Sequence, residues 1–504
     1  MTTSLEDAVM PSLAGRFRIA STAILKGQTL KAKAFRGGAW LGTGSVAEQG
    51  SRFVRNMILV RLLAPSAFGT MAIVMSTGAI LQAFTEIGIR EAVIQNSRGG
   101  EPSYVNAAWW MAFLRALSAY LCVLMVAPWV AGFYGNPQLS SFLRVAVSGL
   151  LLEGAMSARS YVALKEMKFS RWAMIMHGGG ILGVLITVVL SFFLRDVWAL
   201  VIGTASESAV RCVLSYVICP FIPSLNFDKE SFRELLQYSK GLFGLPLMSL
   251  IYMRMDVFVL GKLIPAAQLG VYSMGIALAQ VPSGFLLNLL YQIFVPAFSQ
   301  IREDKSRTNR VIVQVSSVIV LFGMPALCFV YFCGGPLLTV VYGQSYAASA
   351  APLFVASAAV LIGMVNAQIT GVFYALGTPG LHRRCIAVMA IVMVILIYPL
   401  SKWMGPLGAQ VANLIAVSIG FAIQAERIHR ITAFRIAEYW KMFARGCGLS
   451  VGVVMVWVIS RLAVLPSRPL SSIGFGVLGC VLAYSVGCVM LLRQTRPLQT
   501  IVPE

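Results

Sequence analysis

Apolar residues in this chain come in long unbroken runs closed by short polar connections, not in the strict alternation of half-buried strands. A helix crosses a bilayer with ~20 mostly apolar residues. On that criterion about fourteen spans are read: near Gly38–Leu63, Phe68–Ile89, Ser103–Phe133, Leu139–Ala163, Trp172–Leu194 and Val197–Cys219. A second set runs near Tyr238–Leu263, Leu269–Ser299, Val311–Cys333, Ala350–Leu376, Cys385–Trp403 and Pro406–Ala425, and a last pair near Tyr439–Arg461 and Leu470–Leu492. The pattern predicts an all-α, polytopic membrane protein.

The first and second sets repeat one another. Leu62-Leu63-Ala64-Pro65-Ser66-Ala67 is answered 200 residues later by Lys262-Leu263-Ile264-Pro265-Ala266-Ala267, and Gly69 and Gly270 follow with one inserted residue. Tyr134-Gly135 is answered by Tyr342-Gly343, and Ala199 with Val201 by Ala409 with Val411. Three matches in the same order imply duplication. Six spans separate the copies, so both start on the same side of the membrane, as in parallel-repeat transporters. The expected organisation is an amino-terminal arm (1–35), two six-helix lobes (36–225 and 226–430) around a central cavity, and two further helices with a tail (431–504).

Charge changes this picture in two ways. The chain is 58% hydrophobic and 12% charged, yet its formal net charge is +21. No basic domain stands apart, which argues against nucleic acid. The Lys/Arg residues instead crowd alternate connections: the amino-terminal arm, Arg90/Arg98, Arg159/Lys165/Lys168/Arg171, Lys229/Arg233/Lys240, Arg302/Lys305/Arg307/Arg310, Arg383/Arg384, Arg427–Arg445 and Arg493/Arg496. The opposite connections hold only Arg61, Arg195, Lys262, Lys402, Arg461 and Arg468. Such bias places both termini in the cytoplasm. The arm lacks the apolar core and small-residue cleavage site of a signal peptide. The cysteines sit mostly in apolar runs, His177, His382 and His429 are scattered, and no phosphate-binding loop occurs. No metal site, catalytic residue or cofactor is expected.

The second change comes from charges inside the spans, which cost several kcal/mol unless they meet water or a partner and so mark function by default. Glu48, Arg52 and Arg55 share a face of the first span, about 21–26 Å in for the arginines at 1.5 Å per residue. Arg115, Arg144 and Glu153 lie in the third and fourth spans, Glu207 and Arg211 four apart in the sixth, and Arg254 and Asp256 in the seventh. Six arginines against four carboxylates suit an anionic substrate, because the planar guanidinium matches phosphate. Structural pairing of Glu48 with Arg52 and of Glu207 with Arg211 is the competing expectation. The second lobe offers neutral polar groups instead: Asn288, Gln292, Asn366, Gln368 and Asn413.

The stretch Arg55-Asn56-Met57-Ile58-Leu59-Val60-Arg61-Leu62-Leu63-Ala64-Pro65-Ser66-Ala67-Phe68-Gly69 resembles the polysaccharide transporter family. These are the O-antigen and exopolysaccharide repeat-unit flippases of the multidrug/oligosaccharidyl-lipid/polysaccharide exporter superfamily. Glu86-Ile87-Gly88-Ile89 with Ile94-Gln95, Val295-Pro296-Ala297-Phe298-Ser299, and Tyr342-Gly343 with Tyr346 carry the same resemblance. It implies movement of an undecaprenyl-pyrophosphate-linked oligosaccharide from the cytoplasmic to the periplasmic leaflet of a bacterial inner membrane, with a polysaccharide polymerase and chain-length regulator as partners. It also implies that cationic cavity residues hold the pyrophosphate. By location these are Arg52, Arg55 and Arg254, with Arg115 and Arg211 as further candidates. Proton or sodium coupling would fall to Glu48, Glu153, Glu207 or Asp256.

Three alternatives stay open on the sequence. A lipid II flippase would need the same cationic cavity. A multidrug or organic-cation antiporter of the superfamily would favour an acidic one. A membrane-embedded glycosyltransferase or ligase would need a sizeable loop for its chemistry, whereas the longest connections, near Pro220–Gln237 and Glu426–Glu438, are short.

Overall fold

The computed structural model describes residues 30–86, 88–226, 228–242, 245–301, 304–435, 437–463 and 469–495. Most of the amino-terminal arm, Arg302, Arg468 and Arg496 lie outside these, as do the side chains of Asn288 and Gln292. In chain order the first lobe comprises α1 (Leu30–Leu62), α2 (Pro65–Thr85), α3 (Ile89–Gln95), α4 (Pro102–Tyr134), α5 (Gln138–Gly154), α6 (Arg159–Lys165), α7 (Phe169–Leu194) and α8 (Val197–Ile218). There follow α9 (Lys229–Leu242), α10 (Leu245–Leu263), α11 (Ala266–Ile301), α12 (Lys305–Val341), α13 (Ala350–Ala375), α14 (Pro379–Met404) and α15 (Pro406–Thr432). The chain closes with α16 (Ala437–Ala463) and α17 (Pro469–Thr495).

Among the described residues nine helices are long and apolar enough to cross a membrane, ten if α5 and α6, bent by 60°, form one broken span. With the long helices α1, α10, α11 and α17 these match the fourteen spans expected. The chain is a multi-pass membrane protein. All-helical architecture follows from the solvent: lipid offers backbone N–H and C=O groups no partner, so each segment must satisfy its own. Two details differ from the sequence-based expectation. The connection near Pro220–Gln237 contains α9, whose Phe232 and Leu235 pack on Ile89, Val93 and Tyr104 of α3 and α4. The fourth span is also broken, at Ala155–Ala158, where Gly154 lets α5 approach Ala112 and Ala116 of α4.

The duplication is visible in the packing. In the first lobe α1 packs on α7, α7 on α8, α8 on α5, α5 on α4, and α2 on α5. The second lobe repeats this set: α10 on α14, α14 on α15, α15 on α13, α13 on α12, and α11 on α13. The outer pair α16 and α17 lies against α12. Between the lobes α2 crosses α11, while α2 also touches α10 and α11 touches α1.

The α2–α11 crossing rests on the repeated glycines. Both helices begin alike, at Pro65 and Ala266, and Gly69 and Gly270 sit at equivalent positions in the next turn. A Cβ on Gly69 would collide with the carbonyl oxygen of Ala266, and one on Gly270 with that of Pro65. The two contacts exchange when the lobes exchange, which is the signature of a two-fold relation. Small residues let membrane helices approach to backbone contact.

The connections also sort by side. Arg98 meets Glu101 at 3.0 Å, Glu234 at 3.1 Å and Asp228 at 3.6 Å. Lys165 Nζ donates to Ser97 O at 3.0 Å and Arg159 to Pro220 O at 3.2 Å. Three of the Lys/Arg-rich connections therefore share one face. Lys262, from the sparsely charged set, reaches Phe133 O on the other, at 2.5 Å.

Gly69→Val should lower the thermal unfolding midpoint of the purified protein, since forcing a side chain into a packed contact costs ~1–3 kcal/mol. Gly132→Val, at a glycine with open space around it, should melt like the parent. Equal midpoints for both variants would mean that the crossing does not hold the lobes.

Candidate functional site

One charged cluster dominates the interior of the first lobe. Glu48, Arg52 and Arg55 occur at i, i+4 and i+7 on α1, so they project from one face. That face meets α7, where the run His177-Gly178-Gly179-Gly180 and then Gly183 leaves room for large side chains. On α8, Glu207 and Arg211 repeat the four-residue spacing.

The side chains interlock. Arg52 Nη2 lies 2.8 Å from Glu48 Oε1 and 2.5 Å from Glu207 Oε1. Arg211 Nη2 lies 2.7 Å from Glu207 Oε1 and 3.2 Å from Glu48 Oε1. Each arginine thus meets both carboxylates. Glu48 Oε2 faces His177 Nδ1 at 2.7 Å, and Arg211 Nε donates to Met176 O at 3.2 Å. Met174–Gly178 forms a single π-helical turn. Such bulges recur at functional sites, and this one carries His177.

The glycines make the cluster sterically possible. A Cβ on Gly179 would sit 2.5 Å from Arg211 Cγ, one on Gly183 2.5 Å from Glu207 Cβ, and one on Gly44 2.6 Å from His177 Cδ2. A Cβ on Gly180 would strike the Glu48 carboxylate. Two carboxylates and two guanidinium groups balance, so none of the four is left as an uncompensated buried charge, the arrangement that costs most in a low-dielectric interior.

Arg55 stands beside this balance. Its hydrogen-bond partner is the neutral Asn56 side chain, whose Oδ1 accepts from Nη2 at 3.2 Å and Nε at 3.3 Å. Glu153 accepts from Ser208 Oγ at 3.1 Å, at the edge of the cluster. Arg115 lies apart, 3.4 Å from Glu86, and Arg144 is exposed.

In the second lobe Arg254 and Asp256 point to different faces of α10. Arg254 is exposed and makes no hydrogen bond or ion pair among the described residues. Asp256 is buried: its Oδ2 accepts from Tyr272 OH at 2.5 Å, Gln410 Nε2 approaches at 3.4 Å, and Val257 N–H donates to Oδ1 at 2.8 Å. It borders a cavity of about 230 Å³ that also touches Gln280, Ser283 and Asn413. Gln368 and Asn366 are buried, and the side-chain oxygen of each lacks a hydrogen-bond partner among the described residues.

Sequence reasoning placed the carboxylates and arginines but missed His177, Glu86, Tyr272 and Gln410. A glycine-rich face in an otherwise apolar span was the available signal for His177, because it foretells close approach by something bulky. Nothing local marks the others, whose partners lie on other helices, 16 residues away for Tyr272, 29 for Glu86 and 154 for Gln410.

A family model described as "Polysaccharide biosynthesis protein" matches residues 58–351. The succinoglycan biosynthesis transport protein ExoT of Rhizobium meliloti is 22% identical over 311 residues, which is 61% of this chain and 62% of that protein. The lipopolysaccharide biosynthesis protein WzxC of Escherichia coli is 21% identical over 323 residues, 63% of this chain and 65% of that one. The chain thus spans less than two thirds of the length of these relatives. Among solved structures, the lipid II flippase MurJ in an inward closed conformation superposes with a TM-score of 0.71 at 15% identity, covering 89% of this chain and 99% of MurJ. A multidrug resistance MATE family transporter of the MOP superfamily, inward-facing, gives 0.55 at 11%, covering 82% and 98%. These two likenesses show the fold.

Removing one member of the cluster should strand opposite charge. Arg52→Met should destabilise the protein by roughly 3–5 kcal/mol, read as loss of membrane-inserted protein and a lower unfolding midpoint. Adding Glu207→Gln to it should recover much of the loss. Wild-type stability of Arg52→Met alone would deny the cluster its structural role.

Proposed function

The chain belongs to the polysaccharide biosynthesis protein family, and we propose that it is a flippase for lipid-linked oligosaccharides. Its substrate is an undecaprenyl-pyrophosphate-linked repeat unit, moved from the cytoplasmic to the periplasmic leaflet of a bacterial inner membrane for O-antigen or exopolysaccharide assembly. A polysaccharide polymerase and a chain-length regulator would receive the product. No covalent chemistry is required of the protein.

Arg55 carries this proposal. It is an arginine within a membrane span, beside charges that already balance, with a neutral amide for a partner. A pyrophosphate leaving water needs compensating cations, and a guanidinium offers charge and paired donors together. Arg52 and Arg211 are each engaged by two carboxylates and Arg115 by Glu86. Their role is therefore to hold helices in place, while Arg55 and the exposed Arg254, on the repeat partner of α1, bind the pyrophosphate. The lobes move against one another about the α2–α11 crossing, as parallel-repeat transporters rock around a central site.

The alternatives fare less well. An organic-cation antiporter would not benefit from an available arginine in the first lobe. The family match at residues 58–351 favours polysaccharide precursors over lipid II, although the MurJ fold is shared. A glycosyltransferase would lack a sizeable extramembrane domain among the described residues.

Orientation and coupling complete the proposal. The face shared by Arg98, Arg159 and Lys165 is cytoplasmic. Reporters fused after Arg307 and at the carboxyl terminus should read cytoplasm and one at Gly343 periplasm; the reverse pattern would invert the topology. Asp256 binds the coupling ion, proton or sodium, because it is a buried carboxylate with neutral hydrogen-bonding neighbours and an adjoining cavity. Asp256→Asn should abolish ion-dependent transport, and unchanged ion dependence would exclude it.

The decisive variant is Arg55→Ala. Membrane abundance should stay at the parental level while polysaccharide output falls at least about tenfold, one lost charge-assisted contact being worth roughly 1.5–3 kcal/mol. Arg55→Lys should be intermediate, keeping charge without the two-pronged donor. Normal output from Arg55→Ala in cells lacking the parental protein would remove Arg55 from substrate binding.

A further inference from the structure

On the Lys/Arg-rich face of the first lobe a cavity of about 680 Å³ opens, and none of its lining residues belongs to the charged cluster. It lies between the start of α4, the α6–α7 connection and the segment that leaves α8. Arg159, Lys168 and Arg171 line it, and Glu166 is the one carboxylate among its lining residues. Glu166 sits 2.6 Å from Lys168 and is held below the usual carboxylate range first by that hydrogen bond. Lys168 is thereby matched, and the charge of Arg159 and Arg171 is left over.

The cavity wall is built, not incidental. Ser157 Oγ donates to Cys219 O at 2.6 Å and Arg159 Nη1 to Pro220 O at 3.2 Å. The Asn106 side chain accepts from Ser224 N–H at 2.9 Å and donates to Ser224 O at 2.9 Å and Asn226 O at 2.8 Å. Helix α4 and the start of α6 are thus pinned to one extended segment. Met167 turns the chain after α6 with φ of 59°, in the left-handed region where a side chain costs roughly 1–2 kcal/mol. That turn, closed by Lys168 N–H to Ala163 O at 2.8 Å, returns Lys168 and Arg171 to the same cavity as Arg159.

An apolar lip adjoins the cations. Ile222 is 90% and Leu225 78% exposed, and Trp110 anchors the same segment through its indole N–H to Ser224 O at 2.8 Å. Tryptophan concentrates at the headgroup level of membranes. Cations in a cavity next to exposed aliphatic side chains match a molecule with a phosphate at one end and acyl chain at the other. Basic pockets between spanning helices on the cytoplasmic side bind acidic headgroups by this chemistry.

We propose that this cavity is a binding site for the phosphate headgroup of an anionic phospholipid, held by Arg159 and Arg171 with its acyl chain against Ile222 and Leu225. The site is independent of which lipid-linked molecule the lobes transport. It ties the outer wall of the first lobe, through the α8–α9 segment, to the composition of the surrounding leaflet.

The test uses the purified full-length protein in detergent, titrated with dioleoyl phosphatidylglycerol, dioleoyl phosphatidylcholine or sodium phosphate, reading bound lipid by native mass spectrometry and the unfolding midpoint. Phosphatidylglycerol should bind saturably and raise the midpoint; phosphatidylcholine should do neither. Arg159→Gln with Arg171→Gln should weaken phosphatidylglycerol about thirtyfold, at ~1 kcal/mol per basic residue near the surface. Ile222→Ser, a neutral replacement on the exposed lip that leaves both arginines and the net charge in place, should weaken the lipid and leave the response to sodium phosphate unchanged. Parental phosphatidylglycerol binding by the double variant would overturn the site. Sodium phosphate raising the midpoint as far as the lipid does would overturn the lipid assignment in favour of a soluble anion.

Discussion

Backbone contact between Gly69 and Gly270 sets how the two halves of this molecule meet. Each helix presents a glycine at the point of contact, so the carbonyl of Pro65 lies over Gly270 and that of Ala266 over Gly69. Because the contact is reciprocal, it fixes a two-fold relation between the lobes and not merely their proximity. The flanking contacts of α2 with α10 and of α11 with α1 are its symmetric consequence. Lipid supplies no hydrophobic drive for helix association, so close packing of this kind must hold spanning helices together. The crossing lies near the first turn of each helix, at the sparsely charged face. It leaves the remainder of α1 and α10 to diverge in roles.

That divergence is chemical. Helix α1 spends its polar positions on a balanced cluster with α7 and α8, which ties three helices of the first lobe together and leaves Arg55 with no ion pair among the described residues. Its repeat partner α10 buries Asp256 among neutral groups and leaves Arg254 exposed. Duplication gave two similar scaffolds whose charges differ: a balanced cluster reached from α1 in the first, and a buried carboxylate among neutral groups on α10 in the second.

Much of the scaffold could be read from residues alone. Apolar runs gave the spans, since period and length suffice for helices in lipid, and the Pro65/Gly69 and Ala266/Gly270 matches gave the duplication. The glycine contact itself was not legible, because sequence similarity says that two segments are alike and not that they touch. The same limit applied to charge. Counting six arginines against four carboxylates gives an excess of two cations inside the spans, but Glu86 pairs with Arg115, and Arg52 and Arg211 each serve two carboxylates. His177 looks isolated in the sequence because its partner Glu48 is 129 residues away. Helix α9 is not legible there, because its apolar residues are too few to signal a span and face a groove formed only by tertiary packing.

The central claim is movement of a lipid-linked oligosaccharide across a bilayer, and reconstitution tests it most directly. Purified protein would be placed in sealed vesicles carrying a labelled undecaprenyl-pyrophosphate oligosaccharide in the inner leaflet, and the label's exposure to a membrane-impermeant glycosidase followed with time. The account predicts that exposure is far faster than in protein-free vesicles and depends on the pyrophosphate-linked sugar. Exposure at the protein-free rate, with the protein folded and inserted in both orientations, would contradict it.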